Sequence, residues 1–161
     1  MGELIRGFEP VYDDESRVLI LGSFPSVKSR QVEFYYGNKQ NRFWKTLASF
    51  FGEAIPETTD EKRAFLFKNK IALWDIVTEC EIVGSQDATI KNFKVADIKT
   101  LLQNSKIGFI ILNGSKAFDI YEKYCGGGRV PFKKLPSTSP ANTRFDEKEW
   151  HNALSKTFGR T

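Results

Sequence analysis

Nearly uninterrupted apolar runs constrain the fold of this chain more than any other feature of its sequence. They cover residues 18–21, 71–74 and 107–112, and residues 130–135 form a weaker fourth run. Each of the first three ends at a glycine, an aspartate or an Asn-Gly pair. Such runs are typical of strands whose two faces are both covered. The sequence therefore predicts a mainly parallel sheet between two other layers.

Amphipathic stretches separate these runs and predict helices at residues 42–51, 60–68, 95–103 and 115–124. Capping-box spacing, with Thr58 before Glu61 and Asp146 before Glu149, predicts the start of the second of these helices and of a closing helix. Strands that alternate with helices favour right-handed crossovers. We therefore predict an α/β fold of three layers, with a small four-stranded parallel sheet flanked by helices.

Length and composition fit one soluble domain over residues 1–161. A chain of 161 residues of which 40% are apolar can bury roughly 68–70% of the surface that its unfolded form exposes. Its apolar runs are far shorter than the roughly 20 residues that span a bilayer. We therefore expect a cytoplasmic protein with no membrane partner. The net charge of +4 permits a polyanionic partner but does not require one.

The cysteines and the single histidine exclude several classes of site. Cys80 and Cys125 are isolated, and His151 is the one histidine of the chain. This excludes a four-cysteine iron–sulfur cluster, a zinc finger, a two-histidine metal motif and most nucleophile–histidine triads. One disulfide is conceivable but not favoured.

The carboxyl ends of parallel strands are where ligands bind in such folds. The segments at these positions are residues 22–26, Asp75, residues 113–115 and residues 136–142, and the polar stretch 83–92 is expected to be a long loop on the same edge. The turn after the first strand has neither a GxGxxG nor a GxxxxGK[ST] spacing. A dinucleotide or nucleoside triphosphate cradle therefore has no support there.

Three further segments each allow two interpretations. The aromatic stretch 34–36 is either a lid over the core or a stacking surface for a base. Asn41 is either the amino-terminal cap of a helix or a functional amide. The loop 136–142 (PSTSPAN) is either a proline-punctuated turn or a hydroxyl-rich loop that holds phosphate oxygens.

Together these segments resemble the uracil-DNA glycosylase superfamily, and more closely its hypoxanthine (deoxyinosine) DNA glycosylase branch. The resemblance spans nearly the whole chain and is specific in the order and spacing of its motifs. The segments that carry it are LGSFPS at 21–26, YY at 35–36, NRFW at 41–44, ALWD at 72–75, NG at 113–114 and LPSTSPAN at 135–142.

The resemblance implies a monofunctional enzyme that swings a deaminated base out of DNA and hydrolyses its N-glycosidic bond, leaving an abasic site. Hypoxanthine is the expected base, with uracil or xanthine as secondary bases. The implied enzyme acts as a monomer on DNA that contains a deaminated base, and it needs neither a metal nor an organic cofactor. Flipping costs on the order of a few kcal/mol, of which base–aromatic contact recovers roughly 1–3 kcal/mol.

The resemblance also implies roles for individual residues. Asn41 is the catalytic residue, and it orients the attacking water through its carbonyl oxygen. The implied base-binding residues are Ser23, Phe24, Tyr36, Asp75 and Asn113. The implied DNA-binding residues are Ser26, Ser137, Thr138, Ser139, Pro140, Ala141, Asn142 and Arg144, with Ala141 and Asn142 as the wedge that fills the vacated gap.

Three departures from the family pattern bear on these roles. Phe24 stands where many members carry the water-positioning Asp or Asn, which is why the role falls to Asn41 as in the hypoxanthine branch. Asn38 and Lys39 replace a frequent His-Pro pair, and Ser137 stands where the main uracil branch has a catalytic histidine. His151 lies too late in the chain to replace that histidine, and we expect it on a helix surface or partly packed.

Alternatives stay open at this point. The chain could act mainly on uracil in mismatches, bind nucleic acid without catalysis, or hydrolyse free nucleosides or nucleotides. Asp75 could be a turn or helix-cap aspartate rather than a reader of the base. The cations of the edge loops would line a phosphate groove if the fold brings them together, and the acidic stretch 13–15 should then face away from DNA. These cations are Lys28, Arg30, Lys39, Arg42, Lys45, Arg129, Lys133, Lys134 and Arg144.

Overall fold

The computed structural model describes residues 3–82, 90–126 and 130–159. In that part of the chain it contains seven strands and six helices. The strands are β1 (Glu3–Arg6), β2 (Val18–Gly22), β3 (Ile71–Asp75), β4 (Val77–Ile82), β5 (Ile90–Val95), β6 (Phe109–Asn113) and β7 (Phe132–Leu135). The helices are α1 (Val27–Val32), α2 (Phe43–Phe51), α3 (Thr59–Lys68), α4 (Ile98–Gln103), α5 (Ser115–Cys125) and α6 (Glu147–Phe158).

The four predicted apolar runs form one parallel sheet in the order β3-β2-β6-β7. Leu19 of the central strand β2 lies opposite Ala72 on one side and Ile110 on the other. All five residues of β2 are buried, as expected for a strand covered on both faces. The predicted four-stranded parallel sheet is confirmed.

Side-chain alternation along β2 divides the interior into two clusters. Val18 and Ile20 point into a cluster with residues of α2, α3 and α6, whereas Leu19 and Leu21 join residues of α4 and α5. Successive side chains of a strand face opposite sides of the sheet. Helices therefore cover both faces, and the predicted three-layer α/β/α arrangement is confirmed.

A second, antiparallel sheet in the order β1-β4-β5 was not predicted. The expectation of a loop over residues 83–92 is wrong for residues 90–92, because they belong to β5. Residues 83–89 lie outside the described residues. The helix expected from residue 95 begins instead at Ile98. Glu79 of β4 pairs with Lys94 and Arg6 at 3.1 Å each.

The other predicted helices are confirmed. Each of their predicted boundaries lies within one residue of the observed boundary. Thr58 and Glu61 make the full capping box of α3. Asp146 caps α6 by accepting a hydrogen bond from the backbone of Lys148 at 2.9 Å. The short helix α1 follows the first strand turn and was not predicted.

Three further observations concern the cysteines, the histidine and the length of the helices. Both cysteines are free thiols. His151 is half-buried on α6, where its Nε2 lies 3.0 Å from Glu147 Oε1 and its ring meets Phe50 edge-on. Among the described helices, none has the length and apolar character needed to cross a membrane.

Candidate active site

The carboxyl ends of the parallel strands bring the candidate residues to one edge of the sheet. The register pairs Gly22 with Asp75 and Asn113 with Leu135. The loop 136–142 continues from β7 at this edge, and Trp150 of α6 holds it by donating its indole N–H to the carbonyl of Pro136 at 2.9 Å. Segments far apart in the chain therefore meet where the fold class places ligands.

Gly22 allows Asp75 and Tyr36 to approach each other. A Cβ at position 22 would lie 2.5 Å from Asp75 Oδ1 and 3.1 Å from the hydroxyl oxygen of Tyr36. Asp75 itself is 5% exposed. Only a residue without a side chain fits beside the buried carboxylate.

Gly22→Ala is therefore expected to displace Asp75 and Tyr36 and to destabilise the protein by about 1–3 kcal/mol, the usual cost of overpacking. The thermal midpoint measures that loss. Gly108→Ala is the matched control, because a Cβ there meets nothing within 4 Å. A Gly22→Ala protein as stable as the control would contradict the close approach.

Tyr36 is half-buried and lies beside the carboxylate of Asp75. Its φ of +52° is in the left-handed region, and its ring stacks on Phe43 with centroids 4.0 Å apart. Burial, followed by the charge of Asp75, raises the pKa of Tyr36 well above its usual range, against a smaller lowering by Asn113. The phenol therefore stays neutral, and Phe43 backs one face of its ring.

Asn41 lines a surface cleft of about 700 Å³. Its side chain is half-buried, and its Oδ1 accepts the backbone N–H of Phe43 at 2.9 Å. The N-cap residue of α2 is Arg42 and not Asn41, so this bond lies in the turn that leads into the helix, where it fixes the plane of the amide. A carbonyl oxygen has two lone pairs, so Oδ1 keeps one acceptor site for water. Other described residues that line the cleft include Tyr36, Lys39, Trp44, Lys45 and Lys62.

The loop 136–142 is organised by its own hydroxyls and amide. Ser137 Oγ accepts the N–H of Ser139, Ser139 Oγ accepts the N–H of Ala141, and Asn142 donates to the carbonyl of Ser137. Both serine hydroxyls act here as acceptors, which leaves their protons for a phosphate oxygen. Pro140 and Ala141 are exposed, and Arg144 follows on the surface. The wedge role of Ala141 and Asn142 stays a prediction.

Thr138 differs from its neighbours, which corrects the expected role of its side chain. It is 1% exposed, its Oγ1 accepts from Asn113 Nδ2, and its backbone N–H donates to Asn113 Oδ1, both at 3.0 Å. The Thr138 hydroxyl is therefore not presented to DNA, and much of the Asn113 amide is used inside the protein. This pair fastens the loop to the end of β6.

The first-strand turn also departs from expectation. Phe24 is 6% exposed and packs in the cluster on the α4 and α5 side of the sheet, so its ring is part of the core and not of the cleft wall. The Ser23 carbonyl accepts the N–H of Val77, and exposed Ser26 caps α1 through Ser29. Contacts of these three residues with a base or with DNA stay predictions.

The cations do not form the single groove that was considered. Lys39 and Lys45 line the cleft beside Asn41, but the guanidinium of Arg42 bonds backbone carbonyls. Lys133 lines a different cleft with Arg17 and Lys106. Arg129 lies outside the described residues. Glu15 of the acidic stretch pairs with Lys106, just before the amino-terminal ends of β2 and β6 and so opposite the candidate site.

Sequence reasoning missed two of these features. It treated Arg42 as a surface cation, and it assigned Asn113 and Thr138 to separate ligands. No spacing in the sequence predicts either set of bonds, because their partners are 25 to 100 residues apart.

Several known proteins are similar to this chain in sequence and in structure. The model of the Uracil DNA glycosylase superfamily matches residues 9–156. A Hypoxanthine DNA glycosylase of Methanosarcina acetivorans is 39% identical over 90% of this chain and 94% of its own length. A Hypoxanthine DNA glycosylase of Methanosarcina barkeri is 34% identical over 86% and 89%.

A solved structure has the same fold as this chain. The solution NMR structure of a candidate uracil DNA glycosylase from M. acetivorans superposes with a TM-score of 0.84 at 35% identity, covering 97% of this chain and 99% of that one. The match of the family model over most of the chain, together with these relatives, shows that the chain belongs to the uracil DNA glycosylase superfamily.

Proposed function

We propose that this chain is a monofunctional DNA glycosylase that hydrolyses the N-glycosidic bond of hypoxanthine in DNA and leaves an abasic site. The observation that carries the proposal is that Asn41 and Tyr36 line one cleft. The hydroxyl of Tyr36 and the buried carboxylate of Asp75 also lie next to each other at Gly22, at the carboxyl edge of the sheet. The names of the two Methanosarcina relatives support hypoxanthine as the base.

Tyr36 supplies the stacking surface for the extruded base. Phe43 backs its ring, so the ring is held before any base arrives. Extruding a nucleotide costs on the order of a few kcal/mol, and stacking on an aromatic ring returns roughly 1–3 kcal/mol. A ring that is already fixed loses little conformational entropy when the base binds.

Asp75 reads the edge of the base. Hypoxanthine carries a hydrogen on N1 that a carboxylate accepts. Burial of Asp75 beside Gly22 fixes the acceptor at the carboxyl edge of the sheet. Uracil offers an equivalent hydrogen on N3, so this contact alone admits both bases.

Asn41 positions the water that attacks the anomeric carbon. An amide is too weak a base to remove a proton, so it contributes by orientation through its carbonyl oxygen. The sugar becomes oxocarbenium-like as the base leaves, and a fixed dipole facing the developing positive charge stabilises it. The bond from Phe43 N–H to Asn41 Oδ1 holds that dipole in place.

The loop 136–142 grips the flanking strand in this proposal. Ser137 and Ser139 offer hydroxyl protons to phosphates, and exposed Ala141, with Asn142, fills the gap left by the extruded nucleotide. Lys39 and Lys45 bring positive charge to the cleft.

The salt dependence of binding tests that electrostatic contribution. Each neutralised phosphate adds about −0.9 to the slope of log K against log salt concentration. Lys39→Gln and Lys45→Gln are each expected to reduce the steepness of that slope by up to this amount in duplex titrations. Lys99→Gln, an exposed lysine on α4, is the control and should leave the slope unchanged. Equal slopes in all four proteins would remove the cleft lysines from the DNA interface.

A base-panel assay tests the proposed activity. Duplexes that each contain one hypoxanthine, uracil or xanthine are incubated with the protein, and alkali then cleaves the abasic sites. The proposal predicts the fastest cleavage for hypoxanthine. A faster reaction on uracil would make the chain a uracil enzyme, and no product from any base would indicate a binding module without chemistry.

A further inference from the structure

Arg42 lies between the two halves of the candidate site, where it is half-buried and lines the cleft beside Asn41. Its guanidinium donates to the carbonyl oxygens of Thr138, Ser139 and Asn142, the last at 2.7 Å. Its backbone N–H donates to the Thr138 carbonyl at 3.0 Å. Its Cζ also lies 4.4 Å from the ring centroid of Phe145. One side chain thus holds most of the loop that carries Ala141.

The same residue separates Asn41 from Phe43. Asn41 Oδ1 accepts the N–H of Phe43, and the Phe43 ring stacks on Tyr36. The three consecutive residues form one rigid turn at the start of α2. A movement of Arg42 therefore changes the orientation of the Asn41 amide and the support behind the Tyr36 ring.

A second set of hydrogen bonds connects the loop 136–142 to the end of β6. Thr138 bonds the Asn113 side chain through both its hydroxyl and its backbone N–H. The loop is thus fastened to the end of β6 through Asn113 and to the start of α2 through Arg42.

We propose that Arg42 is a positioning residue that couples the loop 136–142 to Asn41, so that the Asn41 amide orients the water when the loop binds DNA. The inference rests on the proposed function and adds the coupling between its two halves. Arginine suits this task because its planar fork offers five donors in fixed directions, whereas a lysine ammonium is a compact point charge.

Arg42→Lys tests the coupling while keeping the charge. The single-turnover rate of hypoxanthine excision is expected to fall by about 10–100-fold, because small misplacements of a catalytic group have effects of this size. Affinity for a duplex with an uncleavable abasic-site analogue should stay near that of the wild type. Arg63→Ala is the control, since Arg63 also lies over a phenylalanine ring, at 5.1 Å from that of Phe34, but bonds no loop carbonyl.

A double-mutant cycle separates coupling from a merely structural role. Ala141→Gly weakens the wedge, and its effect on excision is measured alone and with Arg42→Lys. Coupling predicts that the two losses combine to less than their product, because each breaks the same connection. Losses that multiply, or binding and excision that fall equally with the folded fraction, would overturn the proposal.

Hydrogen exchange gives a readout that requires no hydrolysis. On binding the abasic-site duplex, wild-type protein should protect both residues 138–142 and the Phe43 amide, whereas Arg42→Lys should protect only the loop. If the wild type excises no base, the proposed function fails, and this exchange pattern still decides the coupling. Equal protection of both segments in the variant would overturn it.

Phe145→Leu provides a second variant if Arg42→Lys does not fold. It removes the ring beside the guanidinium and keeps the carbonyl bonds. The proposal predicts a smaller loss of excision in the same direction, with unchanged affinity for the abasic-site duplex. Wild-type excision in this variant would contradict the need for a fixed Arg42.

Discussion

Asn41→Ala is expected to lower the single-turnover rate of hypoxanthine excision by about 10³-fold, the range seen when one preorganised group that stabilises a transition state is removed. Affinity for DNA should change little, because the loop 136–142 and the cleft lysines remain. Excision under single-turnover conditions and titration of an uncleavable duplex measure the two quantities separately.

The structural contribution of Asn41 calls for its own control. Loss of the bond from Phe43 N–H to Asn41 Oδ1 should destabilise the protein by about 1 kcal/mol, the usual net contribution of one hydrogen bond. Asn41→Asp keeps an acceptor for that N–H and should retain the wild-type thermal midpoint and part of the activity. An alanine variant that works at the wild-type rate would remove Asn41 from its role.

Asp75→Asn is expected to produce the second largest loss. The amide has the shape of the carboxylate and fits beside Gly22, but it lacks the charge that strengthens a bond to the N1 hydrogen of hypoxanthine. Hydrogen bonds to charged groups contribute roughly 1.5–3 kcal/mol, which corresponds to about 13–160-fold in the rate of excision.

A matched control checks that this change acts where the structure places it. Asp119→Asn, at an exposed position of α5, removes the same charge and should leave the rate of excision unchanged. Unchanged excision in Asp75→Asn would make Asp75 a structural residue.

The parallel sheet was predictable because burial on both faces leaves a plain signal in the sequence. Unbroken apolar residues in β2, β3 and β6 match strands whose sides both contact helices. The antiparallel sheet leaves a weaker signal, since Thr78 and Glu79 are half-exposed while Cys80 is buried. Short polar-apolar mixtures of this kind occur in loops as well as in edge sheets.

The candidate site likewise combines features that neighbouring residues determine, which the sequence predicts, with contacts between distant segments, which it does not. The position of Asp75 at the end of β3 and of Asn41 before α2 follows from neighbouring residues, so pattern and resemblance suffice to find them. The bonds of Arg42 to the loop and of Asn113 to Thr138 depend on tertiary packing between distant segments. Phe24 is likewise buried because it packs with residues of α4 and α5 on one face of the parallel sheet. Its motif does not predict that contact.

Product analysis of a duplex with a single hypoxanthine tests the central claim most directly. After reaction without alkali, mass spectrometry should find free hypoxanthine and an intact strand with one abasic site in equal amounts. The same reaction with Asn41→Ala should yield almost none of either product. A strand broken by the wild-type protein, or a reaction that releases no hypoxanthine, would contradict hydrolysis by a water molecule held at Asn41.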